Sequence, residues 1–190
     1  MRAFIAIEVP EEIHVALRER QAALRAAAPL SEADVWPKLP ENIHLTLKFL
    51  GEISERQAAQ VTEALEAFAP FGKFPIEVKG FGFFPNAHRP RVFWVGVQAP
   101  PDLEQLAARV EGAMEKLGFA REERAFTPHL TLARFRSPRP QPALASWIEQ
   151  QGQLALGRFE VAEFFLFSSK LLPQGAQHQK IARFPRPERP

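Results

Sequence analysis

The sequence predicts an α+β fold with largely antiparallel sheets, arranged as two related lobes. Two observations point there: strand-like and helix-like segments alternate irregularly, with hairpins among them, and a tetrapeptide recurs at about half the chain length. With 190 residues, 46% hydrophobic and 24% charged, the chain has enough material for one sizeable core and the composition of an ordinary globular protein.

Taken in order, residues 2–9 alternate apolar and polar like a half-buried strand. Pro10-Glu11-Glu12 then opens a helix in which Ile13, Ala16, Leu17, Leu24 and Ala27 recur at helical spacing until Pro29. Val35-Trp36-Pro37 leads to a second alternating run, Ile43–Phe49, and Gly51 and Ser54 punctuate before a helix over Glu55–Phe68. Phe74–Phe83 and Arg91–Gln98 read as two strands around the turn Pro85-Asn86-Ala87-His88-Arg89-Pro90. Pro101-Asp102 starts a third helix that runs through Leu117. Pro128–Phe135 is a further strand, Ser137–Pro142 a proline-rich connection, and Leu144–Gln150 a short helix; Glu160–Ser169 and His178–Phe184 are the last strands.

The recurring tetrapeptide is His44-Leu45-Thr46-Leu47, repeated as His129-Leu130-Thr131-Leu132 at an offset of 85 residues. Each copy sits in a strand-like run, so each lobe is expected to contribute one motif strand. Side chains alternate along a strand, which places Ile43, Leu45, Leu47 and Phe49 on one face and His44, Thr46 and Lys48 on the other. In the second copy His129 and Thr131 share the polar face. Arg134 follows Thr131 by three positions and joins that face only where the strand ends, bulges or twists.

Two imidazoles held across one site suit a reaction that needs a base and an acid together, because the reference pKa near 6.5 lets one ring be neutral while the other is protonated. Phosphodiester hydrolysis has that requirement and needs no metal. The hydroxyls of Thr46 and Thr131 are then placed to donate to the non-bridging phosphate oxygens. His14, His88 and His178 have no such context, and His14 and His88 are expected on the surface; Gly80 and Gly82 are expected to permit turns or bulges in an aromatic strand.

The remaining composition excludes several classes. Without cysteine there is no disulfide, thiolate metal site or catalytic thiol, which fits a reducing compartment. No apolar run approaches the roughly 20 residues of a membrane-spanning helix, and the opening segment is too short and too interrupted, at Glu8, for a signal peptide. A cytoplasmic protein is the expectation. No dinucleotide fingerprint, phosphate-binding loop or short His-x-His spacing appears, so neither cofactor nor metal is expected. Net charge is +2, yet 17 of the 24 basic residues are arginine, the side chain whose planar fork matches phosphate.

The paired His-x-Thr-x elements resemble the two-histidine phosphoesterase superfamily, specifically the RNA 2′,3′-cyclic phosphodiesterases also called 2′-5′ RNA ligases. The similarity runs over nearly the whole chain: Arg2–Ile7, Glu41–Gly51, Arg91–Val97, Phe126–Arg134 and Phe164–Ser169. It implies a bilobal, pseudo-twofold fold, helices outside and both motifs facing a central cleft, within a single domain spanning 1–190. It implies metal-independent opening of a 2′,3′-cyclic phosphate on RNA or a nucleoside to a 2′-phosphate, with His44 as general acid, His129 as general base, and Thr46, Thr131 and Arg134 on the phosphate. With an RNA 5′-hydroxyl replacing water, the same pair would form a 2′-5′ bond, so weak reversible ligation is expected.

Lys48 and His178 are possible RNA contacts; Trp36, Phe84 and Trp94 are aromatics of the kind that stack a terminal base and Arg91 is a candidate for a neighbouring phosphate, but core packing is the commoner fate of strand aromatics and Trp94 is not counted among the site residues. Many relatives have tyrosine where this chain has His178, and the chain has no tyrosine at all. A monomer is expected. A non-catalytic RNA-end or nucleotide-binding module, or a relative acting on 2′-5′ oligoadenylate or another cyclic phosphate, remains the alternative.

Overall fold

The computed structural model describes residues 1–27, 34–35, 42–67, 71–151, 154–172 and 175–185. Trp36, Pro29 and Glu41 lie outside the described residues.

The first half runs β1 (Arg2–Glu8), α1 (Glu11–Ala27), β2 (Asp34–Val35), β3 (His44–Glu52), α2 (Glu55–Glu66) and β4 (Phe74–Phe84). The second runs β5 (Val92–Gln98), α3 (Pro101–Lys116), β6 (His129–Phe135), α4 (Pro142–Gln151), β7 (Ala155–Val161), β8 (Phe164–Leu172) and β9 (Gly175–Phe184). The helices carry ordinary local signals. Ser54 and Gln57 form a reciprocal capping box ahead of α2, whose Ala58, Val61 and Leu65 are buried at helical spacing. In α3, Pro101 sits in the first turn and Leu103, Leu106, Ala107, Val110 and Met114 form the buried stripe.

All strand pairings are antiparallel. One sheet has the order β3-β1-β8-β9 and the other β2-β6-β5-β4-β7. The α+β, antiparallel expectation is borne out, and so is the pseudo-symmetry. The unit β1-α1-β3 recurs as β5-α3-β6, in which the motif strand pairs with the strand before the helix. Each half then sends a strand to the other's sheet: β4 pairs with β5, and β8 pairs with β1. The helices follow the same crossing, with α1 packed on β7 and α3 on β3.

The main core is continuous across both sheets and includes Ile5, Leu45, Val95, Leu130 and Leu166, with Leu17, Val61, Val110 and Leu144 from the helices. The opposite face of the first sheet buries a smaller cluster, Phe4, Ala6, Phe165 and Phe167. Strand β1 is therefore covered on both faces, which departs from the half-buried strand the alternation predicts.

Two boundaries also differ. The run Glu160–Ser169 is split between β7 and β8, which turn at Ala162-Glu163, and β9 starts at Gly175 rather than His178. His14 is not a surface residue: it is 7% exposed, with Nε2 3.4 Å from the carbonyl of Ile43.

Candidate active site

Each motif strand contains a bulge at the same place. On β3 the register runs Glu8 with His44, Ile7 with Leu45 and Ala6 with Thr46, then jumps to Ile5 with Lys48, leaving Leu47 unpaired. On β6 it runs Gly96 with His129 and Trp94 with Thr131, then jumps to Phe93 with Ala133, leaving Leu132 unpaired. Leu47 and Leu132 are equivalent under the 85-residue repeat. An extra residue inverts the alternation beyond it. Leu47 and Lys48 are thus both buried, as are Leu132 and Ala133, and the next residues, Phe49 and Arg134, are exposed on the side of the motif.

The bulge satisfies the condition under which Arg134 joins the face of His129 and Thr131. It also overturns two expectations. Lys48 does not share a face with His44: its Nζ is buried on the other side, donating to Glu111 Oε1 at 2.5 Å and to the carbonyl of Ala120 at 2.6 Å. An RNA contact by Lys48 is therefore withdrawn. Phe49, expected on the face of Ile43, Leu45 and Leu47, is 63% exposed.

The two histidines are held alike. His44 Nδ1 lies 2.9 Å from the carbonyl of Asn42, and His129 Nδ1 lies 2.8 Å from that of Thr127, in each case two residues upstream. A carbonyl only accepts, so Nδ1 carries the proton and a neutral ring has its basic lone pair on Nε2. Asn42 is itself fastened by Nδ2 donating to the carbonyl of Ala176 at 2.7 Å, tying the start of β3 to β9. Sequence reasoning assigned no part to Asn42 or Thr127; the repeat placed a residue of each at the same offset before its histidine, and the acting group is a backbone carbonyl.

Around His44 the walls are aromatic. Its ring stacks on Phe4 with centroids 4.3 Å apart and meets His178 edge-on at 5.2 Å. Burial, the His178 imidazole and the Arg134 guanidinium together push its pKa down to about 3, against an opposing pull from the Asn42 carbonyl. His129 has Phe84 edge-on at 4.9 Å and Trp94 at 6.4 Å. Burial and Arg134 lower its pKa as well, and the Thr127 carbonyl works the other way. The field of Arg134 thus reaches both imidazoles, one from each sheet, and β3 lies against β6. The structure brings His44, His129, Arg134 and His178 into one neighbourhood, with Thr46 and Thr131 half-buried beside their histidines.

Trp94 lies flat on the floor of this face. A Cβ at Gly82 would fall 2.3 Å from its indole, so only glycine fits beneath it. Gly80 has φ +71° beside the β4 bulge, as expected of a glycine that permits an irregularity. Arg91 and His88 are exposed, His88 in the turn between β4 and β5. Among the described residues no cluster of three or more metal-ligating side chains occurs. A depression of about 520 Å³ lies elsewhere, lined by Met1, Ala58, Thr62 and Ile181 among others, with no histidine in its walls.

Residues 9–171 match the 2′-5′ RNA ligase superfamily. The chain belongs to that superfamily. Among curated members, an RNA 2′,3′-cyclic phosphodiesterase of Aeropyrum pernix is 41% identical over 142 residues, covering 74% of this chain and 80% of the relative. One of Archaeoglobus fulgidus is 34% identical over 184 residues, covering 97% and 99%. Of solved structures, one from Thermus thermophilus superposes with a TM-score of 0.78 at 30% identity, covering 97% of both chains. Escherichia coli LigT complexed with 3′-AMP superposes with a TM-score of 0.74 at 26% identity, covering 96% of both. The resemblance read from the motifs, and the fold it implied, are those of the superfamily.

Proposed function

We propose that the chain is an RNA 2′,3′-cyclic phosphodiesterase, with residues 1–190 acting as a single two-lobed domain, a monomer in the cytoplasm, on RNA ends or nucleosides carrying the cyclic ester. The observation that supports this reading best is the duplicated, identically tethered imidazole: two rings from different sheets, each with Nδ1 on a backbone carbonyl two residues upstream, on strands β3 and β6 that lie against each other. Binding alone needs no matched titrating pair, and the names of the curated relatives support the same activity.

In this reading the phosphate of the cyclic ester sits between the rings. Nε2 of neutral His129 accepts a proton from water as its oxygen attacks phosphorus. Protonated His44 gives its Nε2 proton to the departing 3′-oxygen, leaving a 2′-phosphate. Thr46, Thr131 and Arg134 donate to the non-bridging oxygens, where charge grows in the transition state. Burial and Arg134 favour the neutral form of both rings in the free protein, so His44 takes up one proton from solvent as the anionic substrate binds. The phosphate's negative charge supplies the reason, since it offsets Arg134 and favours the imidazolium form of His44. The reverse reaction, with an RNA 5′-hydroxyl as nucleophile, uses the same pair and gives a weak 2′-5′ ligation. The ring of His178, edge-on to His44, stands beside the acid in this reading.

The test is turnover of a nucleoside 2′,3′-cyclic phosphate in excess EDTA, with the product isomer identified. A 2′-phosphate is expected. His44→Ala and His129→Ala are each expected to lose about 10²–10⁴-fold in rate, the worth of a positioned acid or base. A strict requirement for added metal, or near-normal rates in either variant, would sink the reading.

A further inference from the structure

The net charge of +2 conceals a strong segregation. Although the chain has 22 acidic residues, none falls in 78–101 or in 124–148. These two stretches are neighbours in space: the first holds most of β4, the following turn and β5, the second holds β6 and the loop after it, and β5 pairs with both β4 and β6. Their arginines gather at one end of the second sheet. Val92 pairs with Arg134, and the next residue along β6, Phe135, donates its N–H to the carbonyl of Arg91 at 2.9 Å. Phe135 is buried while Arg134 and Arg136 on either side of it are exposed, as are Arg89 and Arg91 in the turn and Arg139 in the loop. Elsewhere exposed arginines are neutralised by glutamates, as Arg18 is by Glu11, Arg121 by Glu115, Arg158 by Glu77 and Arg183 by Glu163. Among the described residues Arg89, Arg91, Arg134, Arg136 and Arg139 have no such partner. The uncompensated charge thus starts beside His129 and Thr131, at Arg134, and continues outward past the end of the motif strand. Exposed arginines two apart on a strand stand about 6.8 Å from one another, a step that suits successive phosphates of an extended polyanion better than a single small anion.

We infer that this end of the second sheet binds the RNA chain behind the terminal cyclic phosphate, with Arg136, Arg91, Arg89 and Arg139 on the phosphodiesters that lie to its 5′ side. The inference rests on the cyclic-phosphate reading, which puts the terminal phosphate at Arg134 and so fixes where the rest of the strand must leave. It goes further by making an RNA end, rather than a free nucleoside cyclic phosphate, the substrate for which the protein is built. Contacts to phosphates carry no base information, so the surface serves RNA of any sequence. Strand capture then depends on salt, whereas the chemistry at the paired histidines does not depend on these four side chains.

The experiment compares wild type with the double variant Arg89→Gln/Arg136→Gln, one change from each stretch, on adenosine 2′,3′-cyclic phosphate and on a single-stranded oligoribonucleotide ending in the same ester. Wild type is expected to favour the oligonucleotide in kcat/KM at low salt, and the double variant to lose about tenfold on it, chiefly through KM, while its rate on the mononucleotide stays unchanged. The slope of log kcat/KM against log salt on the oligonucleotide should become shallower by about 0.7 for each contact removed. Equal losses on the two substrates would mean that the arginines act only through their field on the histidines, and no loss on either would mean that the strand leaves by another route; both results overturn the inference. If wild type opens neither ester, the phosphodiesterase reading falls, and the surface is decided by fluorescence anisotropy with the same oligoribonucleotide. Binding that weakens about tenfold in the double variant with a shallower salt slope supports the assignment, and equal affinities in the two proteins refute it.

Discussion

Replacing Lys48 with methionine removes a cation that the β3 bulge has turned inward. The Lys48 side chain is 6% exposed and that of Glu111 is 19% exposed, and one carboxylate oxygen of Glu111 accepts from both Lys48 Nζ and the backbone N–H of Glu122. Methionine fills much of the same volume, so the loss is mainly electrostatic: Glu111 keeps its charge without a counter-charge, and the carbonyl of Ala120 loses its donor. Breaking one side of a buried pair costs about 3–5 kcal/mol, and the partial exposure of Glu111 places this case near the lower bound, about 3 kcal/mol. With a urea m-value of about 2 kcal/mol/M for a protein of this size, the unfolding midpoint should drop by about 1.5 M at unchanged slope. The double variant Lys48→Met/Glu111→Leu, which leaves no orphaned charge, should recover most of that loss. The segment tied by this pair, Ala120–Glu122, leads into the strand that begins at His129, so kcat should fall in the single variant at temperatures well below its unfolding. A midpoint within about 0.3 M of wild type, or a double variant less stable than either single one, would refute the reasoning.

Two further predictions concern the charge balance of the site. Arg134→Gln removes a cation that holds both imidazoles down, so the pKa values of His44 and His129 should both rise, as followed by NMR titration, and turnover should fall because a phosphate donor is gone; a fall in either pKa would contradict the proposed placement of the guanidinium. Acid stability should report His44 directly. Its folded-state pKa, about 3, lies below the ordinary 6.5, so the unfolded chain takes up the proton first. Stability is thus fully present above about pH 6.5 and is lost as the pH falls toward 3, at a slope of up to about 1.4 kcal/mol per pH unit for this group alone. His44→Gln should flatten that slope in denaturation curves taken between pH 6 and 4, and an unaltered slope would mean that the ring is more solvated than its packing against Phe4 and His178 implies.

The repeat made the site legible. His44 and His129, with their threonines, stand out when the chain is compared with itself, and period-2 alternation is enough to set each histidine opposite the core. What alternation cannot register is a residue without a partner across the ladder. Leu47 and Leu132 look like any other apolar strand positions, yet they are where the phase slips, and everything after them is read one face out: Lys48 went to the site and Phe49 to the face of Ile43 and Leu45, each the reverse of the structure. The same slip decides Arg134, whose place on the motif face depended on a distortion the residues themselves do not announce. His14 escaped for a related reason, because its burial is set by a distant backbone carbonyl, that of Ile43, which no local pattern encodes. The split between β7 and β8 was hidden because Glu160–Ser169 stays apolar enough to pass as one strand.

The exchange of β4 and β8 between the two sheets has a consequence for any attempt to take this protein apart. Severed between β4 and β5, the amino-terminal piece would retain β1 beside β3 and forfeit β8, while β4 would be stripped of neighbours on both flanks. Such a fragment presents naked strand edges and half of a hydrophobic interior, the conditions under which polypeptides seek one another. Two identical fragments would complement each other only by interlocking, each lending its orphan strand to its twin, and the intact polypeptide achieves that interlocking within one molecule.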